Sequence, residues 1–143
     1  MMYIIEKISI WESDGYFWNS KCTPDDRVIH KSTEEFKTNS LDMCIDILKN
    51  EIDPVDYELN SDNIKHIFGN DLSDTSINQV INYHSYRNKI FHNLMVWIND
   101  MKNKGGEYYF DIPYDYNHYE LRETDNFYEK QIDYSFKIKI EKD

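Results

Sequence analysis

Five residues near the C-terminus, Ile132, Tyr134, Phe136, Ile138 and Ile140, alternate without a break against Gln131, Asp133, Ser135, Lys137 and Lys139. A period of two places the apolar side chains on one face of an extended strand and the polar ones on the other. Such a strand cannot stand alone. Its backbone groups need neighbouring strands, and its apolar face needs a cover. The rest of the chain must therefore supply both.

Candidate neighbours are visible at each end. Tyr3 to Trp11 is rich in β-branched and aromatic residues, with Ile4, Ile8 and Ile10 on one face of an extended chain, and reads as a strand. The turn residues Ser13-Asp14-Gly15 lead into Tyr16-Phe17-Trp18, the expected returning strand of a hairpin, and then into a polar loop around Thr23-Pro24-Asp25-Asp26. Tyr108, Phe110 and Ile112 alternate up to Pro113, giving a second hairpin with the C-terminal strand.

The cover comes from the middle of the chain. Ser32 with Glu35 has the spacing of a capping box, and Ser40 leads directly into Leu41, Cys44, Ile45, Leu48 and Ile52, an amphipathic helix that should stop near Asp53-Pro54. A short helix is expected from Asp62 to Phe68, with Gly69 closing it in the left-handed conformation. The longest periodic segment runs from Asp74 to Lys104, with Ile77, Val80, Ile81, His84, Phe91, Leu94, Met95, Ile98 and Met101 on one broad face, and should pack across the sheet. Lys102, Lys104 and Gly105-Gly106 mark its end. The order is two strands, two to three helices and two strands. It predicts an α+β fold: a largely antiparallel sheet of about four strands, with N- and C-terminal hairpins and the helices packed on one face. At 143 residues, 40% of them apolar, and with no repeat or low-complexity linker, the chain is expected to form one domain over residues 1–143.

Several functional classes drop out. No apolar run approaches the roughly 18 residues that cross a bilayer. Met1 to Trp11 contains Glu6 and Lys7 and lacks the basic start and apolar stretch of a secretory signal, so the chain as given reads as cytoplasmic. Cys22 and Cys44 fit no CxxC pair or zinc spacing and read as free thiols, and the five histidines are too scattered to propose a metal. There is no phosphate-binding loop, dinucleotide fingerprint or nucleophile elbow, so no cofactor is expected. The chain has no alanine but abundant Ile, Asn, Asp, Lys and Tyr, the bias of an AT-rich coding sequence, which points to a bacterium, phage or mobile element.

Charge is more informative. The 27 acidic and 16 basic residues give a net charge of −11, which opposes nonspecific attraction to nucleic acid or anionic lipid and favours a basic partner. Residues 31–75 hold 11 acids and 4 bases, whereas residues 76–104 hold Asp100 alone against Arg87, Lys89, Lys102 and Lys104. One helical segment is thus basic within an acidic chain.

That segment contains Arg87-Asn88-Lys89-Ile90-Phe91-His92. The hexapeptide resembles the R-N-x-x-x-H motif of HEPN-type ribonucleases, helical enzymes of toxin–antitoxin systems and CRISPR effectors. The resemblance implies that Arg87 holds the scissile phosphate, that His92 acts as acid or base in metal-independent RNA cleavage, and that Asn88 orients the pair. It covers the hexapeptide alone. The HEPN family is helical throughout, whereas this chain begins and ends with strands. The same residues also suit a structural role, with Arg87 paired to a carboxylate at the helix–sheet boundary.

The second candidate is the stretch from Glu107 to Glu129, with seven acids and one base, Arg122, interleaved with six tyrosines. Tyrosine gives large contact area at low entropic cost, and carboxylates steer toward a cationic surface. Asp111, Tyr114, Asp115, Tyr116, Tyr119, Glu120 and Glu123 are the expected partner-binding residues. These features point to a small acidic binding protein of the immunity-protein or antitoxin kind. Its expected partner is a basic toxin or nuclease, whose active site it would occlude without membrane or direct nucleic-acid contact. The alternative is a metal-independent RNase or RNA-binding module built on Arg87, Asn88 and His92.

Overall fold

The computed structural model describes residues 1–14, 27–112 and 129–143. The strand expected at Tyr16–Trp18, the loop at Thr23–Asp26, Cys22 and most of the tyrosine–carboxylate stretch lie outside the described residues. Four strands, β1 (Met2–Asp14), β2 (Arg27–Thr38), β3 (Gly106–Asp111) and β4 (Glu129–Glu141), form an antiparallel sheet in the order β2-β1-β4-β3. The alternating C-terminal segment is a central strand. Ile138 of β4 sits between Ile5 of β1 and Tyr108 of β3.

The strand that pairs with β1 along the first hairpin is a finding the sequence did not predict. Arg27–Thr38 reads as loop followed by a capping box, yet it forms twelve consecutive partner positions with β1, from Tyr3 opposite Thr38 to Asp14 opposite Arg27. Pairing with β1 supplies the hydrogen bonds that its own polar sequence does not advertise, a case of tertiary context overriding local pattern.

Ile4, Ile8 and Ile10 share one face of β1, as expected, but the main core lies on the other. Tyr3 and Ile5 point into the main core with Phe136, Ile138 and Ile140 of β4, while Ile4, Ile8 and Ile10 lie on the opposite face. The register of β1 against β4 shifts between Ile10 and Trp11.

Helix α1 (Leu41–Ile52) begins at Ser40, whose hydroxyl accepts from the Met43 N–H at 3.2 Å. It ends at Asp53, in the left-handed region at φ 53°, just before Pro54. Its buried residues Cys44, Leu48 and Ile52 lie on the sheet. Helix α2 (Ser61–Phe68) is capped by Asn60 and closes at Gly69, which takes a positive φ of 109° but an extended ψ of 161° rather than the left-handed helical conformation expected.

Helix α3 (Asp74–Met101) has 28 residues and serves two cores. Leu94 and Ile98, with Phe91, Met95, Trp97 and Met101, cover the sheet beside α1. Ile77 and Val80 instead pack with Ile64 of α2, and with Tyr57, Leu59 and Phe68, in a separate cluster. The helix thus packs across the sheet, as expected, but does so with its C-terminal half. The return to β3 turns at Gly105, φ 83°, where an added Cβ would meet the Ile140 carbonyl oxygen at 3.0 Å. The architecture is α+β, with the sheet's helix-bearing face covered by α1 and the second half of α3. Among the described residues no helix is long and apolar enough to cross a membrane.

Candidate functional site

Among the described residues, no helix packs on the second face of the sheet. Alternation puts Glu6 and Ile8 of β1, Ser135 and Lys137 of β4, and Tyr109 and Asp111 of β3 on this face, where they line a hollow of about 310 Å³. Phe110 and Phe136, whose rings stack in the core on the other side, complete its lining. Asp111 is exposed at the end of β3, and Tyr109 is 65% exposed.

Three lysines of this face are engaged by the protein's own carboxylates. Lys137 meets Glu107 at 3.6 Å, Lys139 meets Glu141 at 3.2 Å and Lys37 meets Glu35 at 3.3 Å. Lys137 also lies 5.7 Å from the centre of the Tyr109 ring, and the Tyr109 hydroxyl donates to Glu107 at 3.1 Å. Desolvation draws the Lys137 ammonium down, but Glu107, Tyr109 and Glu6 together outweigh it and hold its pKa above the ordinary lysine value. Glu6 and Asp111 thus share the hollow with hydroxyl, aromatic and aliphatic groups and with Lys137, whose charge Glu107 and Glu6 offset. A hollow so lined can accept hydrogen-bond donors and cationic side chains. Of the seven expected partner-binding residues, Asp111 is placed here. Tyr114, Asp115, Tyr116, Tyr119, Glu120 and Glu123 lie outside the described residues.

A second polar cluster, which the sequence did not reveal, joins the core face of the sheet to α1. Lys7 Nζ lies 3.1 Å from Glu51 Oε1 and 3.9 Å from Glu34. The Tyr134 hydroxyl donates to the other Glu51 oxygen, and Lys7 rests 5.3 Å from the centre of the Tyr134 ring. Burial, reinforced by the bond to Glu51, pushes the Tyr134 hydroxyl from 10.0 up to about 12. Burial alone would lower the Lys7 ammonium, but its contacts with Glu51 and Tyr134 raise it overall. Tyr134 is therefore a neutral donor at physiological pH, and the cluster pins the end of α1 to the sheet.

Both raised values have the same consequence for stability. A group that holds its proton more tightly when folded contributes fully below its unfolded pKa and loses that contribution as pH rises through the folded one. The urea midpoint should fall between about pH 10 and pH 12, and the fall should be shallower in Tyr134→Phe. A parallel fall in that variant would show that another group governs the alkaline transition.

The Arg87, Asn88 and His92 set is split by the helix that carries it. Arg87 is 8% exposed and donates from Nη1 to the Ile52 carbonyl at 2.9 Å, with its guanidinium 4.1 Å from the centre of the Tyr83 ring. Asn88 accepts from the Val55 N–H at 2.8 Å. Both residues fasten the end of α1 and the following turn to α3. His92 is exposed. Five residues along an α-helix is a rotation of roughly 140°, so Arg87 and His92 leave α3 on different sides. Within one chain they do not converge.

Cys44 is buried, and desolvation raises its thiol to about 11, so it is neither a nucleophile nor a ready metal ligand. Among the described residues no group of three or more His, Cys, Asp or Glu side chains could hold a metal ion. Comparison of the chain with protein-family models, curated proteins and solved structures finds no match.

Proposed function

We propose that this chain is a small acidic binding protein that neutralises a basic toxin or nuclease by covering its active site, and that it acts in the cytoplasm. The observation that carries the reading is the sheet face around the hollow. There Asp111 and Glu6 stand beside an exposed tyrosine, and the nearby lysines are held by the protein's own carboxylates. The net charge of −11 adds long-range attraction toward a basic partner. Aromatic contact area with a carboxylate rim suits a surface that must bind quickly and hold in one orientation. Asp115, Glu120 and Glu123, which follow β3 in the chain, extend the same composition.

The test begins with the immobilised full chain and an extract of the native cell. The expected capture is a basic protein whose nuclease or toxic activity stops when the chain is added in equal amount. Replacing Asp111, Asp115, Glu120 and Glu123 by their amides should slow association about tenfold at low salt and flatten its salt dependence. Tyr109→Ala should act chiefly on dissociation. A captured protein that stays active in excess chain would overturn the reading. So would cleavage of total RNA by the chain itself, in chelator, that His92→Ala lacks.

A further inference from the structure

The outer edge of β2 is a second surface, independent of the sheet face and of any functional reading. β2 ends the strand order and follows β1 through twelve partner positions without a shift in register, so its outer N–H and C=O groups form an uninterrupted row. Among the described residues no strand pairs with that row. Proteins guard such edges with proline, bulges, short strands or charged side chains, the last of which deter pairing unless the approaching strand carries the complementary charge. β2 contains no proline and no bulge and is long, and it carries charges of both signs, Lys31, Glu34, Glu35 and Lys37. With three bases and two acids between Arg27 and Thr38, it is also free of the acidity that makes copies of this chain repel one another elsewhere.

Symmetry restricts what the edge can accept from a second copy. Two antiparallel strands related by a two-fold axis normal to the sheet must set odd residues against odd and even against even, because opposed residues share a face. An axis at Glu34 places that residue against itself and Lys31 against Lys37. An axis at Lys31 also opposes like charges, and one at Ser32 faces Lys31 with Thr33 and Ile29 with Glu35. An axis at Thr33 sets Lys31 against Glu35 twice and Ile29 against Lys37, with no like-charge pair among these positions.

Both residues of that cross-pair would gain from it. Lys31 is exposed, makes no ion pair among the described residues, and has only Ile10 opposite it on β1. Glu35 stands opposite Glu6 on β1, a like-charge pairing that a second cation on its outer side would relieve. Ile29, 68% exposed, and Met43, 55% exposed beside Thr38, supply apolar surface at the edge. We propose that two copies of this chain associate through antiparallel pairing of their β2 strands about Thr33, continuing one sheet into the next.

Sedimentation of the full chain over a concentration series tests this. The wild type should sediment at twice its 17.4 kDa mass at the upper concentrations. Lys31→Glu and Glu35→Lys should each raise the dissociation constant about 10- to 100-fold, because two attractive pairs become repulsive. An equimolar mixture of the two variants should restore the dimer, since each would again meet its opposite charge, and so should the double variant. Circular dichroism should show both single variants folded, and recovery in the mixture would itself demonstrate it. A wild-type monomer throughout the series would overturn the proposal, as would a dimer that both single variants leave intact or a mixture that stays monomeric.

Discussion

Ile138→Ala should destabilise the protein by about 3–4 kcal/mol, the range for emptying a fully buried aliphatic position. Ile138 is fully buried in central strand β4, flanked by Ile5 and Tyr108, and belongs to the same cluster as Leu48 of α1 and Leu94 of α3. Removing three carbons forfeits their transfer free energy and leaves a cavity that strands on both sides prevent from closing. In a domain of ordinary stability, 5–15 kcal/mol by the usual range, that is a large fraction of the total and lowers the melting temperature by roughly 10 °C. Ile8→Ala is the control. Ile8 is half-buried on the opposite face of the same sheet and should cost no more than about 1 kcal/mol. Urea unfolding of the two variants measures the difference. Equal losses would mean that the second face is packed as tightly as the first.

That contrast between the faces also explains what could be read from the sequence. The β4 alternation and the spacing of α1 were legible because one face of each is buried continuously, so periodicity records burial directly. β2 was not. An edge strand covered mainly on one side can carry Lys31, Ser32, Thr33, Glu34 and Glu35 in succession, and Ser32 with Glu35 then imitates a helix cap. In α3 the apolar stripe correctly marked Ile77, Val80, Leu94 and Ile98 as buried, yet a stripe does not say what buries it. The N-terminal half went to α2 instead of the sheet. The Lys7–Glu51–Tyr134 cluster joins positions 44 and 83 residues apart, and no local pattern encodes such a meeting. Within the candidate site, Asp111 was legible from composition. Its neighbours Glu6, Ser135 and Lys137 were not, because strand order alone brings them together.

Arg87→Ala should cost about 3 kcal/mol, and the loss arises from the joint between α1 and α3 rather than from any surface. Arg87 places a cation at the C-terminus of α1, where the last carbonyls are unpaired and the helix dipole is negative, and it donates to one of them, that of Ile52. Truncation removes a charge-assisted bond, the stacking on Tyr83 and the packing of a buried stem. Asn88→Ala should cost about 1 kcal/mol through loss of its bond to the Val55 N–H, and exposed His92→Ala no more than about 0.5 kcal/mol. Urea midpoints should therefore fall in the order Arg87, Asn88, His92. A ribonuclease site would rank them otherwise, with Arg87→Ala and His92→Ala alike in lost cleavage and both near wild type in stability. If Arg87→Ala keeps its urea midpoint, the guanidinium is not holding the joint, and the hexapeptide should then be assayed as a catalytic set.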